Sequence, residues 1–434
     1  MPALLSFQQT PPLAAPIRFF LTAPVFAIFG GLLLAWSGPS AMLSRWTPSA
    51  LALTHLITAG VMLQVMLGAM FQILPVVAGA GIAQPLRLAR WIHFTLTLGA
   101  LVLAAAFLTY QPGAFEMAVG LLGAGVVAFV LAASRALYGL PSTTPTIRGL
   151  KLALVGLGVT VTLGALLALA LGGSYTLPLR PLTAVHLAWG LLGWGLVLLA
   201  AVALVVVPMF QMTPAYPEWF ARHFGWSVLL LLIVWGAAEL AAGSLAATVL
   251  AGALVLVTAT FPVLTLYLQH RSRRARFDAT QHYWRIAMLS FLLAAAFGVT
   301  GNVLPTLAEW PQGPWLCGVL VLVGGFMSVM NGMLYKIVPF LVWLHLQNLG
   351  GGRVIAPTMT KVLAVRQIGG QLYTHLASLI LLLTATIWPE ALLRPAAIVF
   401  LLANAWLLRN LLAAMHFYSR HRARIAALPA TSDN

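Results

Sequence analysis

Residues 67–76, LGAMFQILPV, end an apolar run that extends from residue 49 to residue 78 without Asp, Glu, Lys or Arg. A helix needs about 20 such residues to cross the hydrocarbon core of a bilayer, so this run predicts a transmembrane helix. Counting comparable runs along the chain gives about 12 spans. They lie at 17–36, 49–78, 91–109, 115–137, 148–172, 182–210, 224–243, 245–268, 285–303, 315–344, 371–388 and 392–416.

The composition excludes a water-soluble protein. The 434 residues are 61% hydrophobic and 7% charged, whereas soluble domains carry about 25% charged residues. The single cysteine, Cys317, excludes a disulfide framework and a cysteine-rich metal site. We predict one all-α polytopic domain, residues 1–434, whose main partner is the lipid bilayer and which binds no nucleic acid.

The basic residues are distributed unevenly between the two sides of the predicted helices. Only Arg45, Arg180 and Arg394 fall on one side, Lys336 and Arg409 lie within spans, and the rest of the 23 Lys and Arg fall on the other. By the positive-inside rule, we expect the basic side and both termini to be cytoplasmic, in a bacterial-type inner membrane. No basic segment precedes the first span, so we expect no cleavable signal peptide.

The ending of the second span recurs in the sixth and tenth spans. Residues 199–210 read LAAVALVVVPMF and residues 331–340 read NGMLYKIVPF. The prolines stand at 75, 208 and 339, so they are 133 and 131 residues apart. This spacing predicts three repeated four-helix units, at roughly 17–137, 148–268 and 285–416.

A histidine begins two of these three spans. His55 precedes its proline by 20 residues and His186 precedes its own by 22, whereas the third copy has Cys317 and Gly318 there. Twelve spans, threefold repetition and these two histidines resemble subunit I of the heme-copper oxidases and its non-oxidase relatives, such as the NnrS-type membrane proteins. The resemblance implies that His55 corresponds to a low-spin heme ligand and His186 to a ligand of the copper centre.

The sequence departs from the oxidases at their catalytic centre. It has only His223 before the seventh span, where the family has a His-His pair, and only His345 in the tenth, where the family has two histidines. Gly190 stands four residues after His186, where subunit I has an acidic or aromatic group. We therefore expect no dioxygen-reducing centre, no terminal oxidase activity and no catalytic residue.

The remaining histidines support a heme protein of another kind. Neutral imidazole is a good axial ligand of heme iron. We predict His55 as the principal ligand and His186 as the second, in a protein of electron transfer, gas sensing or nitrosative-stress protection that works with a redox partner or another membrane subunit. The other histidines are expected near the cytoplasmic boundary, and His375 is the reserve candidate.

Two alternatives remain open. Met62 and Met66 lie on the helix face below His55, and a His/Met set suits Cu(I), which would indicate a copper site or a transporter of Cu(I) or a small solute. Methionine is also a common filler of apolar packing. The third hypothesis is a cofactor-free assembly partner that retains the scaffold.

Overall fold

The computed structural model describes residues 10–140, 144–241, 245–274, 278–303, 310–351 and 356–427. Within these ranges it contains no strand and twelve helices that are long and apolar enough to cross a membrane. The prediction of an all-α membrane protein is therefore confirmed. The helices are α1 Ala14–Leu43, α2 Pro48–Val77, α3 Pro85–Thr109, α4 Pro112–Leu137, α5 Pro145–Leu171, α6 Leu179–Gln211, α7 Glu218–Leu240, α8 Leu245–His270, α9 Ala279–Gly301, α10 Gly313–Gly350, α11 Val365–Ala385 and α12 Pro389–Ala426.

The helices extend beyond the apolar runs that predict them. Five of them begin at a proline, and α3 starts at Pro85, six residues before its apolar run. Proline suits the first helical position because the amide hydrogen that it lacks has no partner there. At the other end of the chain, α12 continues to Ala426, ten residues past its apolar run, because the basic tail is also helical.

Three helices form the centre of the bundle. We compared the most apolar 18-residue stretch of each helix. The buried share of that stretch is 83% in α2, 61% in α6 and 72% in α10, against 22% in both α8 and α9. These are the second, sixth and tenth helices, the same three that carry the repeated proline ending. The repeat therefore marks the helices that contact other helices most and lipid least.

Each central helix also contains a π-helical segment. The segments are Leu56–Met62, Trp189–Leu196 and Val319–Met327, and each precedes the repeated proline of its helix. π-Helical turns are rare and occur frequently at functional sites. Their recurrence at matched positions supports the three-unit repeat, whose boundaries at 17–137, 148–268 and 285–416 remain a prediction.

A glycine in each π-helical segment lets a phenylalanine ring pack directly on the backbone. A Cβ atom added at these glycines would lie 2.4, 2.9 and 2.3 Å from the ring, too close for any other residue without movement. The respective pairs are Gly60 with Phe26, Gly195 with Phe326 and Gly325 with Phe291. The second pair joins α6 to α10, whereas the first joins α2 to α1 and the third joins α10 to α9.

Candidate histidine site

The structure brings His55 and His186 together. Their ring centroids are 6.5 Å apart, and the two ring planes differ by 14°. His55 is the last α-helical residue before the π-helical segment of α2, and His186 lies three residues before that of α6. The two residues predicted as ligands from separate parts of the sequence thus form one site between two central helices.

Backbone carbonyls fix the tautomer of both rings. Nδ1 of His55 donates to the carbonyl oxygen of Leu51 at 2.8 Å, and Nδ1 of His186 donates to that of Thr160 at 3.1 Å. A carbonyl oxygen only accepts, so in the neutral rings the proton is on Nδ1 and the lone pair is on Nε2. Metal-binding histidines are oriented in the same way. In the described part of the chain, no hydrogen bond engages either Nε2 atom.

The ring separation matches two imidazoles on opposite sides of one metal ion. Metal–imidazole bonds are about 2.0–2.1 Å long and a ring nitrogen lies about 1.2 Å from its ring centroid, which places the two centroids about 6.4 Å apart. The observed distance is 6.5 Å. The donor set and the centroid spacing are therefore compatible with one ion held by both imidazoles.

The walls of the site hold both rings in position. The ring of His55 packs against Phe107 of α3, with centroids 4.8 Å apart. A Cβ atom at Gly164 of α5 would lie 2.9 Å from Cε1 of His186, so only glycine lets this ring approach the helix so closely. Both residues keep a minor part of their surface exposed.

The predicted methionine ligands lie deeper in the bundle. Met62 and Met66 are almost fully buried, with 3% and 6% of their surface exposed, and belong to the main hydrophobic core. Met62 lies seven residues after His55, at the other end of the π-helical segment. Both methionines take part in core packing, and their role as ligands remains a prediction.

Two arginines lie above the site on the less basic side. Arg45 precedes His55 by ten residues and Arg180 precedes His186 by six. Burial, and after it the positive charge of Arg180, lowers the pKa of the Arg45 guanidinium, so the two cations affect each other. No carboxylate lies within salt-bridge distance of either among the residues described. The approach to the histidines from this side is therefore positively charged.

His375 is buried within the bundle, with 1% of its surface exposed, and its predicted depth near the cytoplasmic boundary remains a prediction. Its Nε2 atom is 2.7 Å from the Ser328 hydroxyl, and its Nδ1 atom is 3.5 Å from the Asn331 amide. Ser328 in turn donates to the carbonyl oxygen of Val323, which lies in the π-helical segment of α10. The reserve candidate is thus occupied by internal hydrogen bonds.

Lys336 is paired inside the protein. Its Nζ atom is 2.6 Å from Asp278, the residue immediately before α9, and Asp278 also pairs with Arg274 at 2.6 Å. Burial alone would raise the pKa of Asp278, but the hydrogen bonds from Lys336 and Thr280 outweigh it and bring that pKa to about 2. Sequence reasoning did not identify this ion pair, because Asp278, just before α9, and Lys336 of α10 come together only in the folded chain.

Comparisons with known proteins leave the family open. The sequence matches no model of a known protein family, and none of the curated proteins matches it significantly. Across the residues that the structure describes, no group of three or more His, Cys, Asp or Glu is arranged to bind a metal. Among the residues described, the pair formed by His55 and His186 is therefore the strongest candidate for a functional site.

Proposed function

We propose that this protein is a heme-binding electron-transfer protein of the membrane, with His55 and His186 as the two axial ligands of one heme. The observation that carries the proposal is the 6.5 Å separation of two nearly parallel imidazoles that come from different helices. Polar side chains within a bundle are costly enough that such a pairing calls for a specific role.

The surrounding residues suit that role. When bound, a heme would supply a reversible one-electron couple, whose potential depends on the axial ligands and on burial. The carbonyls of Leu51 and Thr160 keep the Nε2 lone pairs free, and Phe107 fixes the ring of His55. Two histidine ligands leave no open position on the iron, which favours electron transfer over gas binding or oxygen reduction.

The charged groups above the site are also consistent with a heme. A heme carries two propionate groups, and guanidinium groups bind carboxylates strongly. Arg45 lies ten residues before His55, in the connection that leads into α2, and Arg180 lies six residues before His186, in the first turn of α6. Neither arginine has a carboxylate partner among the described residues. Their charge would stabilise the propionates at the less basic side.

Absorption spectroscopy on the purified protein tests the proposal. The chain is expressed with ample heme, purified in mild detergent and measured in its oxidised and reduced forms beside His55→Ala and His186→Ala. We expect about one heme per chain in the unaltered protein. Each of the two variants should lose the heme or show a clearly changed heme spectrum. His93→Ala is the matched control, because His93 binds Thr22 elsewhere in the bundle. A well-folded protein that takes up no heme would reject the proposal.

Copper is a second candidate, supported by the same distance. Cu(I) binds imidazole and tolerates low coordination numbers, so two Nε2 atoms at this spacing would suffice for it. Metal analysis of the same samples separates the two candidates. Copper that is lost with either histidine, in a protein without a heme spectrum, would favour copper, including the Cu(I) transporter hypothesis. Absence of both cofactors would favour small-solute transport or an assembly role.

A further inference from the structure

A groove of about 530 Å³ lies between α11 and α12, toward the basic end of both helices. Its lining is almost entirely apolar, and its volume is within the range of small-molecule sites. The residues that line it are Arg366, Gln367, Gly369, Gly370, Tyr373 and Trp406. Tyr373 is 73% exposed, so the groove opens outward from the bundle.

Two glycines form the floor of this groove. A Cβ atom at Gly370 would lie 2.8 Å from the indole of Trp406, which shows that the indole packs directly on the α11 backbone. A Cβ atom at Gly369 would meet nothing within 4 Å. The recess therefore exists because a side chain is missing at Gly369, and an acyl chain could fill it.

Two arginines lie at the basic end of the groove. Arg366 is one turn before the glycines on α11, and Arg409 is one turn after Trp406 on α12, so each shares a helix face with the lining residues. The Asn410 amide lies 3.5 Å from the carbonyl oxygen of Gln367, which places the two arginines at a similar level. Both are exposed, and neither forms a salt bridge with any residue that the structure describes.

We propose that this groove is a binding site for one anionic phospholipid, with the phosphate at Arg366 and Arg409 and an acyl chain along Gly369 and Trp406. Guanidinium groups bind phosphate well, and basic pockets between transmembrane helices recognise anionic headgroups. A zwitterionic lipid also carries a phosphate, but its ammonium group is repelled by the two guanidinium charges, and a water-soluble anion would gain nothing from the apolar walls. The combination of charge and apolar surface selects a charged lipid.

Native mass spectrometry of the delipidated full chain in detergent tests this proposal. Phosphatidylglycerol, phosphatidylcholine with the same acyl chains and inorganic phosphate are added in separate titrations. We expect one phosphatidylglycerol to be retained about tenfold more tightly than phosphatidylcholine, and inorganic phosphate at millimolar concentration not to displace it. Equal retention of the two lipids, or displacement by phosphate alone, would overturn the proposal.

Variants locate the site on the groove. The double variant Arg366→Gln, Arg409→Gln should lose the preference for phosphatidylglycerol, and Gly369→Leu should weaken retention of both lipids by filling the recess. Arg420→Gln removes a charge from the exposed tail, and Gly252→Leu adds a side chain to open space on α8, so both should behave like the unaltered chain. Unchanged phosphatidylglycerol retention in the groove variants would contradict the assignment, and their melting temperatures verify folding.

Discussion

The amino-terminal halves of α2 and α6 differ from that of α10, although all three helices share a π-helical segment and a later proline. In α2 and α6 a histidine stands just before the π-helical segment, half-buried and with a free Nε2 atom. In α10 that place holds Cys317 and Gly318. One scaffold thus presents a histidine in two copies and a cysteine in the third.

In α10, three polar side chains lie beyond this place and have internal hydrogen-bond partners, namely Ser328, Asn331 and Tyr335. Ser328 and Asn331 of α10 contact His375, and Tyr335 accepts a hydrogen bond from Asn410 at 2.9 Å. Buried polar groups that all have partners stabilise one packing arrangement but offer no donor to a ligand. His55 and His186 are therefore candidate ligands because each has an Nε2 atom without a hydrogen-bond partner among the described residues, whereas both ring nitrogens of the buried His375 have partners.

The largest expected effect separates His55 from His375. His55→Ala should lower cofactor content about tenfold or more, with little change in the melting temperature of the cofactor-free protein. His375→Ala should leave cofactor content unchanged but lower the free energy of unfolding by about 2–4 kcal/mol, because two polar partners lose their hydrogen bonds in a buried site. Cofactor titration and thermal unfolding measure the two effects, and the opposite pattern would break the comparison.

A second prediction concerns the shared π-helical scaffold. Gly60→Ala and Gly325→Ala should each destabilise the protein by about 1–3 kcal/mol, because the new methyl group would press into a phenylalanine ring. Gly252→Ala, where the added atom meets open space, is the matched control. Thermal unfolding in detergent measures the effect. If all three variants melt alike, the glycine contacts do not hold the central helices.

The ion pair of Asp278 predicts a dependence on pH. Its pKa of about 2 in the folded protein lies below the value of about 3.9 in an unfolded chain, so its contribution to stability is present above pH 4 and is lost as the pH falls toward 2. We expect Asp278→Asn to cost about 1–2 kcal/mol near neutral pH and to flatten the loss of stability between pH 4 and pH 2. Melting temperatures of both proteins across that range test this, and parallel curves would contradict it.

The smallest effect is expected at Gln72 of α2. Neither polar atom of its buried amide has a hydrogen-bond partner in the described residues. Replacing an unsatisfied polar group with an apolar one of similar size is nearly neutral or stabilising, so Gln72→Leu should change stability by less than about 1 kcal/mol. A clear loss of stability or of cofactor would show that this amide has a role that the packing does not reveal.

The helices and the histidine pair were predictable from the sequence for physical reasons. Apolar runs gave the twelve helices because a bilayer requires each backbone segment to satisfy its own hydrogen bonds. The spacing of the prolines indicated which helices correspond. His55 and His186 could be paired because residues at matched positions of corresponding helices lie at the same depth.

The remaining features depend on contacts that a sequence pattern does not contain. The π-helical segments arise where Phe26, Phe291 and Phe326 pack on glycines of other helices. The pairing of Lys336 with Asp278 joins two helices whose rotation only packing determines. The near-complete burial of Met62 and Met66 likewise depends on the packing of neighbouring helices, which a face assignment along one helix does not contain.

The most direct test of the central claim is the electron paramagnetic resonance spectrum of the oxidised, heme-loaded protein. If His55 and His186 bind the same iron, the unaltered chain gives a low-spin ferric signal. In that case His55→Ala and His186→Ala each convert any remaining heme to the high-spin form. A high-spin signal from the unaltered chain, or a low-spin signal that persists in His186→Ala, would contradict a shared site.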